Sequence, residues 1–337
     1  MYPFRYTRAS SVEGAVATVA REPGAAFVAG GTEILNWLKD DIRRADLLVD
    51  INGLPLTQIE VGPDGLRLGG LARMSDVASH PAVREAYPVL VQALELGASP
   101  QIRNAGTMGG NLLQRTRCPY FRTTSFPCNK REPGAGCAAR DGDHHGHAIF
   151  GGSEACIATH PSDLAVALAA LDAVVRIQGP TGERSVPLTD FYLLPGDTPD
   201  RETVIEHGEL IVGVDVPAGP DARRSHYLKV RERASYEFAL VSAAVAIEID
   251  GATGGNGASV GGTIRSARIA LGGVAPKPWR ALAAEQALIG QPFDPESIAR
   301  AGAAAVTGAE PLRDNAFKVA LTERTVIRAL ETVGGIA

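Results

Sequence analysis

The chain has 337 residues, 45% of them hydrophobic and 21% charged, which suits about two domains at roughly 150 residues each and excludes a mini-protein that must be stapled. With 33 basic against 38 acidic residues the net charge is -5, which argues against nucleic acid as a partner. The apolar run Leu164 to Leu171 stops at Asp163 and Asp172, far short of the roughly 18 residues that a membrane-spanning helix needs, so no membrane insertion is expected.

Met1 to Arg8 lacks the apolar stretch and cleavage site of a signal peptide, so cytoplasmic residence is expected. Residues 11–21 read as a helix, with Ser10 or Ser11 to cap it and Val12, Ala15, Val16 and Val19 at helical spacing. Pro23-Gly24 ends it. Ala26 to Ala29 is a short strand that stops on Gly30-Gly31-Thr32, and Ile34, Leu35 and Leu38 restart helical periodicity. Leu47 to Ile51 completes a βαβ-type unit. Ile59 to Val61 and Leu66 to Leu68 flank Gly62-Pro63-Asp64-Gly65 as a hairpin, and helices follow at 75–80 and 83–97. From Gln114 to His147 the periodicity disappears, and a structureless stretch of that length is functional or disordered. Order resumes at Ala148-Ile149-Phe150, and Pro161 to Leu171 reads as a helix. Ala173 to Gln178 and Ile211 to Val216 read as strands on either side of a Pro/Gly-rich loop. Beyond a boundary at Gly219-Pro220, strands at Tyr227 to Val230, Ala239 to Ile249 and Ser266 to Leu271 form a meander, with helices at 280–288 and 295–330. The second Gly-Gly-Thr, Gly261 to Thr263, reads as a turn.

Gly30-Gly31-Thr32, between strand and helix, is a candidate phosphate cradle, because glycine lets several backbone N–H groups approach an anion. Its alternative is an ordinary tight turn. A Walker lysine and a GxGxxG opening are both missing. Ile102 to Leu112, with Gly106, Gly109, Gly110, Asn104 and Asn111 beside Thr107, offers a second main-chain surface, and the two together point to a large phosphate-bearing cofactor. No Gly-x-Ser-x-Gly elbow is present, so no catalytic side chain is assigned.

The four cysteines, Cys118, Cys128, Cys137 and Cys156, leave three readings open. Disulfides need an oxidising compartment, zinc favours Cys-x2-4-Cys pairs that are missing here, and an iron–sulfur cluster tolerates wide spacing. Arg115, Arg117, Arg122, Lys130, Arg131 and Arg140 offer charge to offset thiolates. His144, His145, His147 and His160 read as solvated histidines.

Ala29-Gly30-Gly31-Thr32, then Arg103-Asn104-Ala105-Gly106-Thr107-Met108-Gly109-Gly110-Asn111-Leu112, then Pro161-Ser162-Asp163-Leu164, resemble the FAD-binding medium subunit of molybdenum hydroxylases, the xanthine dehydrogenase and carbon monoxide dehydrogenase family. The likeness covers essentially the whole chain. Arg117-Cys118-Pro119-Tyr120, Pro127-Cys128-Asn129-Lys130-Arg131, Gly136-Cys137-Ala138 and Cys156-Ile157-Ala158-Thr159-His160-Pro161 are similar to the subtype in bacterial aldehyde oxidoreductases, whose flavin subunit carries a [4Fe–4S] cluster.

The resemblance implies an α+β fold of the vanillyl-alcohol-oxidase (PCMH) type over residues 1–219, with two α+β subdomains at about 1–55 and 56–219 and an iron–sulfur insertion at 114–156. Residues 220–337 would be a C-terminal α+β domain of the CO dehydrogenase flavoprotein type. It implies that Ala25, Ala26, Phe27, Val28, Ala29, Gly30, Gly31, Thr32 and Glu33 wrap the FAD pyrophosphate. Thr107, Gly109, Gly110 and Asn111 would meet the phosphates or ribityl chain, Asp163 a cofactor hydroxyl, Val216 the adenine or flavin, and Lys229 the flavin region. Cys118, Cys128, Cys137 and Cys156 would ligate the cluster. The implied complex is a heterotrimer with a large molybdenum-cofactor subunit and a small subunit bearing two [2Fe–2S] clusters, delivering electrons through FAD to an external acceptor. Such complexes can be exported on a partner's signal, so periplasmic residence is compatible. The rival readings are a stand-alone flavin oxidase or reductase and a zinc-stapled binding protein.

Overall fold

In the computed structural model, which describes residues 1–219, 221–251 and 262–336, the chain begins on a strand that no hydrophobic pattern announces. β1 (Arg5–Arg8) is exposed along its length. The Ser11 hydroxyl then accepts the Gly14 amide at 3.0 Å and caps α1 (Val12–Arg21), which buries Ala15, Val16 and Val19. β2 (Ala25–Val28), α2 (Ile34–Lys39) and β3 (Leu47–Asp50) follow, and the strands form a parallel sheet in the order β1-β3-β2. The expected βαβ unit is present, with β1 added to its free edge.

β4 (Ile59–Gly62) and β5 (Gly65–Gly69) are the expected hairpin, followed by α3 (Met74–Ser79). The periodic stretch 83–97 is two helices, α4 (Pro81–Ala86) and α5 (Pro88–Leu96). Pro88 has no N–H to continue the ladder and restricts Tyr87, whose φ of -136° and ψ of 59° leave the helical region. α6 (Pro100–Ala105) and α7 (Met108–Leu112) are capped by Ser99 and Thr107, so the second glycine segment is largely helical. The cysteine segment is built from single turns, α8 (Pro119–Arg122) and α9 (Ala138–Asp141). Ser162 caps the wholly buried α10 (Asp163–Ala170). β6 (Val174–Gly179), β7 (Gly182–Pro187), α11 (Leu188–Phe191) and β8 (Leu210–Pro217) complete an antiparallel sheet in the order β4-β5-β8-β6-β7.

The last part is an antiparallel sheet in the order β12-β11-β10-β9, from β9 (Ser225–Val230), β10 (Val241–Asp250), β11 (Thr263–Gly272) and β12 (Trp279–Arg280). α12 (Leu282–Leu288) follows it, and the expected helix at 295–330 is interrupted into α13 (Pro295–Ala305) and α14 (Phe317–Gly334). Pro220 of the expected boundary and Gly261 of the Gly-Gly-Thr turn lie outside the described residues. One apolar core runs from Leu66 and Leu68 of β5 through α5 and α10 to Tyr227, Ala244 and Ala270 of the last sheet, so the two halves share an interior. Among the described residues no helix is long and apolar enough to cross a membrane.

Candidate functional site

Ala25 and Ala26 are buried in β2, Phe27 and Val28 are half-buried, and beyond them Asn52 Nδ2 donates to the Ala29 carbonyl at 3.0 Å. Gly31 adopts φ +71°, the left-handed region that favours glycine. Gly30 lies hard against the end of α6, where an added Cβ would sit 1.9 Å from the Ala105 carbonyl oxygen. The two glycine segments therefore meet at one junction. Arg73 fastens it, donating to the Ala105 carbonyl and, at 2.7 Å, to Asn52 Oδ1. Among the described residues the amides of Gly30, Gly31, Thr32 and Glu33 donate to no protein acceptor, so a run of consecutive N–H groups is left for an anion.

The Thr107 segment works differently. Met108 N donates to Ala72 O at 3.0 Å, Gly109 N to Gly70 O at 2.8 Å, and Gly110 N to Thr107 Oγ at 3.1 Å. Its amides are used internally, and what it presents is a rigid surface of small residues. Asn111 Oδ1 accepts from Ser162 Oγ at 2.5 Å, which brings this surface beside Asp163.

Asp163 is held in a buried network. Its Oδ1 accepts from the Tyr227 hydroxyl at 2.5 Å and its Oδ2 from Lys229 Nζ at 2.7 Å, while Lys229 also donates to Leu96 O at 3.1 Å. Burial pushes the Asp163 carboxyl up, and the Lys229 charge and the Tyr227 hydroxyl oppose that push. Tyr227 was not singled out from the sequence, although as the alternate residue before Lys229 in a strand it shares its face. Val216 is buried in β8 opposite Leu66, with its side chain in the main core.

Beside Asp163, a shallow cleft is lined by Arg117, His160, Phe238, Ser242 and Gly273 among others. His160 is not solvated: Nδ1 accepts the Ser162 amide at 3.3 Å and Nε2 is buried without a partner. Burial lowers its imidazole to about 4 from an ordinary 6.5. The folded chain keeps this ring neutral while an unfolded chain takes up a proton, so its contribution is complete above pH 6.5 and is lost as pH falls toward 4, worth about 3 kcal/mol in all. Urea midpoints measured from pH 7 to 4.5 should fall less steeply for His160→Phe than for the parent chain.

The four cysteines are free thiols, and all four line one small pocket with Phe121, Pro127, Ala138 and Ala158. Cys128 and Cys137 face each other across an isolated antiparallel bridge, buttressed by the Asn129 amide on Gly136 O and the Gly136 amide on Asn129 Oδ1, each at 2.7 Å. Burial pushes the Cys118 thiol up to about 12 and raises that of Cys156, with neighbouring thiols adding to the push. Such thiols need a cationic group to hold them as thiolates. A single zinc ion requires its ligands about 2.3 Å from one point. Among the described residues no three His, Cys, Asp or Glu side chains, these cysteines included, are grouped so as to hold a metal ion.

His144 and His147 are buried rather than solvated, and His145 is half-buried, stacked on Phe317. The turn before α14 and α14 itself cover them. His144 Nε2 accepts the Asp314 amide at 3.0 Å, and Lys318 Nζ donates to Gly146 O at 3.2 Å, His147 O at 2.9 Å and Gly273 O at 2.6 Å. Burial lowers the Lys318 ammonium to about 7. His147 Nε2 lies 3.2 Å from Cys118 Sγ.

The basic residues of this segment were expected to offset thiolate charge, but only Lys130 lines the cavity. Arg115 and Lys130 pair with Glu202, Arg140 with Glu154, and Arg131 caps the carbonyls of Tyr120 and Phe121. Arg117 and Arg122 reach Glu33, the end of the first glycine loop. Burial opposes ionisation of Glu33, yet the two guanidinium charges outweigh it and hold the carboxyl below its ordinary range.

Residues 2–219 match the family described as the FAD binding domain in molybdopterin dehydrogenase, and residues 226–333 match the CO dehydrogenase flavoprotein C-terminal domain. The chain is 48% identical to the aldehyde oxidoreductase FAD-binding subunit PaoB of Escherichia coli K12, with 98% of each chain covered. It is 28% identical to the carbon monoxide dehydrogenase medium chain of Hydrogenophaga pseudoflava, covering 97% of this chain and 96% of that one. A solved structure of carbon monoxide dehydrogenase from Hydrogenophaga pseudoflava, lacking the Mo-pyranopterin moiety, superimposes with a TM-score of 0.74 at 28% identity over 100% of both chains.

Proposed function

Because this chain belongs to the FAD-binding medium subunits of the molybdenum hydroxylase family, we propose that it is the electron-transfer subunit of a molybdenum-dependent aldehyde oxidoreductase. The observation that carries this reading is the junction of Gly30 with Ala105, where consecutive free amides lie next to the end of the second glycine segment. Within the stretch Ala25 to Glu33, the strand residues Ala25 to Val28 carry the turn, and the free main-chain N–H groups of Gly30 to Glu33 hold the pyrophosphate. Thr107, Gly109, Gly110 and Asn111 form the wall against phosphates and ribityl chain, and the Asp163–Lys229 pair offers a fixed carboxylate and ammonium to a cofactor hydroxyl. Val216 contributes backbone to the adenine or flavin. FAD, when bound, supplies exchange of one electron with clusters and of one or two with an acceptor. Substrate is oxidised on a large molybdenum-cofactor subunit, and a small subunit with two [2Fe–2S] clusters connects it to this chain. The division into an FAD-binding part at 1–219, with subdomains at about 1–55 and 56–219, and a C-terminal part at 220–337 belongs to the same reading.

Cys118, Cys128, Cys137 and Cys156 are proposed to hold a [4Fe–4S] cluster, a reading supported by four thiols around one cavity. The test is the absorption spectrum of anaerobically purified full chain, with acid-released FAD, iron, sulfide and zinc assayed on the same sample. About one FAD with four iron and four sulfide per chain is expected. Zinc in place of iron removes the cluster reading, and aldehyde or amine turnover by the isolated chain would favour a stand-alone flavoenzyme. Cys128→Ser is expected to remove most of the iron, and iron content equal to the parent chain would count against that ligand.

A further inference from the structure

We propose that Glu33 is a positioning residue that links the cysteine-lined cavity to the Gly30-Gly31 turn, so that filling the cavity strengthens the binding of FAD. The proposal rests on the cluster reading above. Glu33 lies immediately after the free amides of Gly30, Gly31 and Thr32 and before α2. Its carboxylate accepts a bidentate pair from Arg117 at 2.7 and 2.8 Å, Arg122 Nη2 at 2.7 Å and the Arg115 amide at 3.1 Å. Every donor except Trp37 Nε1, at 3.0 Å, comes from residues 115–122, the run that contains Cys118.

That run is bonded into one unit. Cys118 stands at the N-terminus of α8 and Arg122 at its end, and Arg122 also donates to Thr116 O at 3.0 Å and Arg115 O at 3.1 Å. Displacing Cys118 therefore displaces the guanidinium groups that seat Glu33. Charge-assisted, bidentate bonds are directional, so the carboxylate must follow or lose them. Either response turns the Gly31 and Thr32 amides away from a phosphate. Linkage is reciprocal, so bound FAD must raise the affinity for the cluster by the same factor.

The experiment is a fluorescence titration of the deflavinated full chain with FAD, done on iron-loaded protein and on the iron-free Cys128→Ser variant. Iron-free chain is expected to bind FAD about tenfold or more weakly, within the usual range of coupling between sites. Glu33→Gln, nearly isosteric, should weaken FAD binding to iron-loaded chain by a similar factor and make Cys128→Ser cause no further loss. Arg117→Lys, which keeps the charge, should restore part of what Arg117→Met loses, a difference that a general folding defect does not produce. Equal FAD affinity with and without iron, or full iron dependence in Glu33→Gln, overturns the linkage while leaving the cluster in place. A parent chain that binds no iron overturns the cluster reading and the linkage with it.

Discussion

Gly30→Val is expected to weaken FAD binding by about 10- to 100-fold, equivalent to roughly 1–3 kcal/mol of overpacking. The reason is geometric. A Cβ at this position would lie 1.9 Å from the Ala105 oxygen and 2.6 Å from its carbon, and both are backbone atoms that no rotamer change can withdraw. Arg73 and Asn52 hold the two sides together, so the turn must open instead. Acid-released flavin per chain measures the loss. Gly53→Ala is the control, because nothing lies within 4 Å of a Cβ there. Parent-like flavin content in Gly30→Val would mean that the cofactor does not use this junction.

Lys229→Met is expected to destabilise the chain by about 3–5 kcal/mol, the usual cost of leaving a buried charge without its partner. In the parent chain the two side chains are 2% and 9% exposed. Without the ammonium, Asp163 keeps only the Tyr227 hydroxyl, and Leu96 O loses a donor. The Asp163 carboxyl then rises further above its unfolded value. A raised acid favours folding only when protonated, so the defect should deepen as pH rises and shrink as pH falls. Chemical denaturation at pH 5 and pH 8 tests the sign. The double variant Asp163→Asn, Lys229→Met removes both charges and should recover much of the stability. A single variant as stable as the parent at pH 8 would show that the pair is not needed to offset burial.

Local signals in the sequence revealed the elements whose residues face one core. β2 and β3 are apolar runs ended by glycine or aspartate, and α1 carries its cap and its spacing. β1 escaped notice because all its side chains are exposed, and parallel pairing with β3 and polar bonds to Asp50 and Glu22 hold it instead of apolar burial. α7 carried no helical signal because glycine and asparagine depress helix propensity, which tertiary bonds from Gly109 N and Met108 N override. The glycine segments and the cysteines were legible as separate motifs, since residue type alone carries them. Their meeting was not. Gly30 against Ala105, Glu33 against Arg117 and Tyr227 against Asp163 are contacts between distant parts of the chain, and no periodicity records them. His144 and His147 were misread for the same reason, because the residues that cover them come from α14 and the turn before it.

That helix bears on the order in which the chain can mature as it leaves the ribosome. When residue 160 has been made, all four cysteines exist, but Lys318, which ties down the carbonyls of Gly146 and His147, does not. Glu310 N on Ile149 O at 2.7 Å and Asn315 Nδ2 on Ala148 O at 3.1 Å are missing as well. The stretch between Cys137 and Cys156 therefore lacks these bonds until α14 has been synthesised. A nascent chain halted before α14 holds the same cysteines without the clasp that ties down the segment between them.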